Sequence, residues 1–317
     1  MDEFINNTNY GVKSQYNTQN VVIDYVALQE QINEENNQKR KELYLKENKR
    51  KSSLLFYVGI IYFILCLGLV GVRVLNNFGL FSSMSLALQE LTSSGIIQIL
   101  LMFSVPVFAF CFAKKQGLKQ TLKDFSYKKI SFKVVILSIL LGFVVFWIVG
   151  YISTMFSYVI SLFGYETTPS YETNTSENTN TLVYFLVSVL CSCILPAICE
   201  ETAHRGMLLG TLKRYGVGKA IVISGLLFGL IHLNIFQFFY AFIVGCLLGL
   251  LTIVAKSIYP AMIVHFMNNF MSTCSEYAFA NNIGTLSLSG FVDGITSFFG
   301  GIFGDFILFM MVFLLVY

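Results

Sequence analysis

Eight apolar stretches fill most of this chain, at 54–75, 95–113, 132–163, 182–212, 219–233, 238–255, 257–274 and 301–317. A helix that crosses a ~30 Å hydrocarbon layer needs about 20 predominantly apolar residues. Several of the runs reach that length, and no soluble core of ordinary size accommodates so many. The rest of the composition agrees: 12% of the residues are charged, and the mean hydropathy is +0.67. A soluble domain carries roughly 25% charged residues, so this chain lacks the means to cover itself with a polar surface. The pattern predicts an all-α, polytopic membrane helix bundle of about eight transmembrane helices. The third and fourth runs exceed one span and must tilt or protrude. The last reaches Tyr317 with no polar residue after it, as in a truncated chain.

Lysine and arginine in the connections orient such a bundle. The connection 114–133 carries Lys114, Lys115, Lys119, Lys123, Lys128, Lys129 and Lys133, whereas 76–94 has no base. The stretch 164–181 has three glutamates and no base; Lys213, Arg214 and Lys219 follow, and later Lys256. Basic and non-basic connections alternate, which predicts both termini in the cytosol and 164–181 outside it. The expected organisation is a polar cytosolic tail, 1–52, followed by a transmembrane domain, 53–317.

The tail does not read as a nucleic-acid arm. Its basic residues Lys46, Lys49, Arg50 and Lys51 interleave with Glu34, Glu35, Glu42 and Glu47. Nor does a basic start lead into an apolar run there, so no cleavable signal peptide is expected. The seven cysteines all lie in or at the ends of apolar runs without a CxxC pair, and they read as small buried hydrophobes.

Ionisable side chains inside a span cost several kcal/mol, so each is a functional candidate by default. They gather in the second half of the chain. Glu200, Glu201, His204 and Arg205 lie in the fourth run, Phe228 and His232 in the fifth, His265, Asn268 and Asn269 in the seventh. These include all three histidines of the protein. Glu200 lies 13 residues from Lys213, His232 13 from Lys219, and Asn269 13 from Lys256. At 1.5 Å per residue each is about 20 Å from its basic anchor, near the bilayer midplane. His265 lies about one turn nearer the basic end. Adjacent helical residues diverge by about 100°, so Glu200 and Glu201 face different neighbours. Glu201 and Arg205, four apart, can form a structural ion pair. That leaves Glu200 for chemistry, with His204 on its face. Asn268 and His204 read as structural.

The ordered set EExxxR, FxxxH and HxxxN, each on its own apolar run, resembles the CPBP or Abi family of intramembrane proteases. That family includes type II CAAX prenyl endopeptidases and bacteriocin-immunity proteins. Here the set reads Glu200, Glu201, Arg205; Phe228, His232; His265, Asn269, within 182–274. His204 departs from it, since an aromatic residue commonly precedes the arginine. The resemblance implies hydrolysis of a peptide bond in a membrane-associated substrate of CAAX, leader or bacteriocin type. Glu200 with His232 would activate a water, and His265 with Asn269 would stabilise the oxyanion, roles that suit a buried carboxylate and two hydrogen-bond donors. Glu200, His232 and His265 could equally hold a catalytic zinc. The stagger of His265 in depth tips the reading toward the metal-free mechanism.

Three other classes compete. A rhomboid-type serine protease needs a Gly-x-Ser nucleophile context that Ser224-Gly225 lacks. A proton-coupled transporter would use membrane Glu and His as a relay, but no internal repeat is evident. A catalytically silent immunity or receptor protein would be expected to have lost one of the four site residues. The lipid bilayer and a membrane-associated peptide or protein are the expected partners, and nucleic acid is not one. An Asn-, Lys- and Ile-rich composition points to a bacterial plasma membrane.

Overall fold

The computed structural model describes residues 25–164 and 181–281. Every element among them is helical: α1 (Tyr25–Asn77), α2 (Leu86–Lys114), α3 (Leu118–Asp124), α4 (Phe132–Ser161), α5 (Leu182–Tyr215), α6 (Val217–Leu230), α7 (Ile235–Ala255) and α8 (Tyr259–Ala280). Two compact units, Met1–Lys51 and Ser52–Tyr317, divide the chain. In the first, the part of α1 from Leu28 to Lys49 is exposed throughout. All that follows concerns the second.

Five helices are long and apolar enough to cross a membrane: α1, α2, α4, α5 and α7. The other three expected spans do not meet that measure or lie outside the described residues. The run 219–233 folds as α6, whose 14 residues extend about 21 Å, short of a ~30 Å core. The run 257–274 lies in α8, which has 22 residues but is studded with His265, Asn268, Asn269, Ser272, Thr273 and Glu276. The run 301–317 lies outside the described residues, as does most of 164–181. The connection expected at 76–94 is shorter in the structure, because α2 already begins at Leu86.

Two apolar cores hold the helices together. One gathers Val58 and Leu65 of α1, Met102 and Phe110 of α2, Phe125, and Met207 and Leu209 of α5. The other joins Val145 of α4, Leu248 of α7 and Val264 of α8. Close backbone approach supplies the rest. On α6, Gly225 and Gly229 are four apart, and on α7 so are Gly245 and Gly249. A Cβ on Gly245 would stand 2.9 Å from the Cα of Gly225, and one on Gly229 would stand 2.8 Å from the Phe238 carbonyl oxygen. Apolar burial gives little drive between helices in lipid, so small residues that let backbones touch are what such pairs use.

Two long helices are not regular. α2 is π-helical over Ile97–Ser104, and α5 over Val189–Ile194 and again over Thr202–Leu209. Prolines mark the first two: Pro106 and Pro196 open the α-helical stretches that follow. A proline has no N–H for the carbonyl four residues earlier and its ring crowds that oxygen, so the chain widens to i→i+5 bonding. Val105 N–H accordingly reaches Leu100 O, and Leu195 N–H reaches Leu190 O.

Candidate functional site

The widened turns carry several of the polar side chains of the interior. Gln98 sits in the first, Ser192 in the second, His204 and Arg205 in the third. Pro196 cannot serve the Ser192 carbonyl, and Asn269 Nδ2 of α8 donates to that oxygen at 2.9 Å. Ser192 Oγ in turn donates to Glu90 Oε1 at 2.9 Å, which also accepts from Ser94. A defect in one helix is thus met by an amide from another.

The two neighbouring glutamates have different surroundings. Glu201 is fully buried, and its Oε1 accepts from Arg205 Nη1 and from His265 Nδ1, both at 2.9 Å. Arg205 also donates from Nη2 to the Gly245 carbonyl at 3.0 Å and lies 4.3 Å over the Phe228 ring. Glu200 is half-buried and makes no ion pair among the described residues. Its Oε1 accepts from the neutral amide of Gln98 at 2.7 Å. One carboxylate is locked between two cationic or ionisable groups, the other merely held in place.

All three histidines spend Nδ1 on an oxygen. His232 Nδ1 donates to Phe228 O and His204 Nδ1 to Glu200 O, each at 2.8 Å, and His265 gives its own to Glu201. A carbonyl can only accept, so Nδ1 bears the hydrogen in His204 and His232, and Nε2 is left with the lone pair. Phe228 is the hub of these rings, edge-on to His204, His232 and His265 with centroids 5.0, 5.1 and 5.6 Å away. His204 is also edge-on to Tyr62 at 5.5 Å, so it fills an aromatic position between two aromatic rings. His232 lies just beyond the end of α6, in a turn where Leu233 takes φ +51°. A bulky residue in the left-handed region carries backbone strain, and here the strain sits beside a candidate catalytic group.

Glu200, His265 and Arg205 are the charge-bearing neighbours of His232. Asn269 points its Oδ1 at Asn268 Nδ2, 3.1 Å away, and one N–H of its amide remains beyond the bond to Ser192. The chemistry of Glu200, His232 and His265 would suit zinc, since a metal-bound histidine usually gives its other nitrogen to a carboxylate or carbonyl. Their placement does not suit it: among the described residues no three His, Cys, Asp or Glu side chains come close enough to share an ion.

Against known families, residues 182–271 match the model of the Rce1-like type II CAAX prenyl endopeptidases. The chain carries an Rce1-like domain. With five apolar helices of spanning length, this marks an integral membrane protein. No curated protein and no solved structure matches the chain. The Rce1-like domain runs from the start of α5 into α8, and so includes every side chain of the three motifs. Gln98 and Glu90 of α2 and Tyr62 of α1 reach the same polar cluster from outside the matched segment. Reading the motifs does not find them. The available signal was a Glu and a Gln eight residues apart at the start of the second apolar run.

Proposed function

We propose that the Rce1-like domain is an intramembrane endopeptidase in which Glu200 is the general base that activates a water. The observation that carries this reading is the unequal treatment of two adjacent carboxylates. Glu201 is fully buried and its Oε1 is bound by Arg205 and His265, both able to carry positive charge, while Glu200 is half-buried and oriented by the neutral amide of Gln98 alone. A half-buried carboxylate fixed by a neutral donor stays able to take a proton. His232, tied at Nδ1 to a carbonyl, presents Nε2 as an acceptor for the same water. The free N–H of Asn269 is a donor for the oxyanion that develops as water attacks the carbonyl carbon. His265 can join it from Nε2 only when protonated at both nitrogens, and Glu201 against Nδ1 supplies the counter-charge. The proton taken by Glu200 goes on to the leaving amine.

The substrate in this reading is a membrane-associated peptide or protein, as the family's prenyl-endopeptidase name suggests. About eight spans, with the lysine-rich connections and both termini in the cytosol, complete the proposed arrangement. Cysteine labelling at Ser126 and Ser170 should report opposite sides of the membrane, and labelling from one side alone rejects that topology.

Membranes holding the wild type should cleave members of a membrane-anchored peptide library. Glu200→Gln should fold in normal yield and cleave nothing, whereas Glu201→Gln should lose folded protein. It strands Arg205 in the interior, at a cost of about 3–5 kcal/mol. Exchange of the two phenotypes overturns the assignment of the base. Activity should survive exhaustive chelation; one zinc per chain, lost together with activity in His265→Ala, would install a metal mechanism instead.

A further inference from the structure

The basic end of the bundle holds a pocket rich in cationic side chains. It measures about 250 Å³ and is lined by Lys128, Lys213, Lys256, Arg205, Leu209 and Ile253, with smaller residues between them. Each lysine comes from a different part of the chain. Lys128 precedes α4, Lys213 lies at the end of α5, and Lys256 follows α7. Among the described residues none of the three ammonium groups has a carboxylate partner. Arg205 lies at the buried side of the pocket. Its terminal nitrogens are engaged, and its buried Nε–H has no acceptor in the protein.

This convergence is built, not incidental. Ile258 N–H donates to the Ser126 carbonyl at 3.0 Å, and Ser257 Oγ donates to the Lys128 carbonyl at 2.6 Å. Those bonds pin the Lys128 and Lys256 connections to one another. Lys256 takes φ +51° at the end of α7, and Ser126 takes φ +65°. Both turns are therefore held in sparsely populated conformations that bring their lysines to one place.

We propose that this pocket binds the phosphate of an anionic phospholipid headgroup. Three features favour a lipid. The lysines stand where apolar helices end, at the level where hydrocarbon meets headgroups. Ile253 and Leu209 give the pocket an apolar wall, and Val254 beside it is 72% exposed on a face suited to acyl chains. Basic pockets between membrane helices recognise phosphate headgroups by this combination of charge and grease. The proposal does not depend on the peptidase reading, since neither Glu200 nor the histidines take part.

The full chain in nanodiscs of phosphatidylcholine, with and without phosphatidylglycerol, tests it. The anionic lipid should raise the melting temperature of the wild type by several degrees and stay bound through delipidation, as read by mass spectrometry. Lys128→Gln, Lys213→Gln and Lys256→Gln combined should lose most of that shift. A control with Lys119, Lys123 and Lys133 changed to Gln, all exposed at the same end, should keep it. Equal loss in the control shows diffuse attraction and overturns the site. An equal shift from inorganic phosphate in phosphatidylcholine discs, or from a soluble peptide with a free C-terminal carboxylate, assigns the pocket to a different anion and overturns the lipid. If the triple variant does not fold, the three single changes replace it, each losing part of the shift; none losing any overturns the proposal.

Discussion

His204 shows how a residue can depart from a motif and keep its part in the packing. Its ring stands edge-on between Tyr62 and Phe228, and only Nδ1 uses a polar capability, toward the Glu200 carbonyl. The expected consequence is that His204→Phe folds and keeps its ring contacts, while His204→Ala opens a cavity and costs about 3 kcal/mol. Melting curves of the two variants check this, and equal losses would mean the Nδ1 bond outweighs the packing. Leu233 gives a second test at this scale. Glycine adopts its φ of +51° without strain, so Leu233→Gly should stabilise the turn by about 1 kcal/mol. If the strain aims His232, the same change should lower turnover, and a kinetic comparison beside the melt separates the two effects.

At the scale of elements, the α6–α7 contact depends on glycine far more at some positions than at others. Valine at Gly245 meets backbone atoms of Gly225 at 2.9 and 3.1 Å, which no rotamer change relieves. Gly245→Val should separate the pair and lower the melting temperature sharply, by overpacking of about 1–3 kcal/mol or more. At Gly249 a Cβ meets Ile221 no closer than 3.6 Å. Gly249→Ala should therefore fold normally and gain up to about 1 kcal/mol of helix propensity. Equal effects at both positions would reject the close packing. The helices themselves were legible in the sequence because hydropathy alone marks them. α6 and α8 were harder to read as spans. One is short, and the other trades apolar side chains for the polar ones of the site, so hydropathy alone does not mark either, and their crossing rests on the alternation of basic and non-basic connections. The motif residues were legible by spacing and depth. Gln98, Glu90 and the second partner of Glu201, His265, were not, because contacts between distant helices leave no period in a single chain.

For the whole molecule, the basic end offers a handle on pH. Asp124 closes α3, and Lys114, Gln116 and Gln120 all donate to it. Burial pushes its carboxyl up, but those hydrogen bonds and the Lys114 charge outweigh burial and hold it below the usual carboxylate range. A depressed carboxyl stabilises the fold above its unfolded pKa of about 3.9, and that contribution fades as pH falls through the lower folded value. The attachment of α3 to the end of α2 should thus hold through mild acid and loosen only in strong acid. Hydrogen exchange of residues 118–124 against pH measures it, and Asp124→Asn should flatten the curve.

The widened turns of α2 and α5 have a consequence for how such a chain can tolerate change in length. Each stretch holds about one residue more than the α-helical path would need, so deleting a single residue from Val189–Ile194 lets the backbone close toward regular bonding, with only the carbonyl four residues before the proline left without its N–H. The helix on its own would gain regularity. A widened turn takes up its extra residue without advancing the flanking helix by a further ~100°, so the turns on either side would keep their facing, whereas residues inside the stretch would be re-aimed and Ser192 would turn away from Asn269. In most helices the loss of one residue is ruinous to the fold. In α5 it would be mild for the fold and ruinous for the polar interior, so insertions and deletions there separate survival of the scaffold from survival of the site.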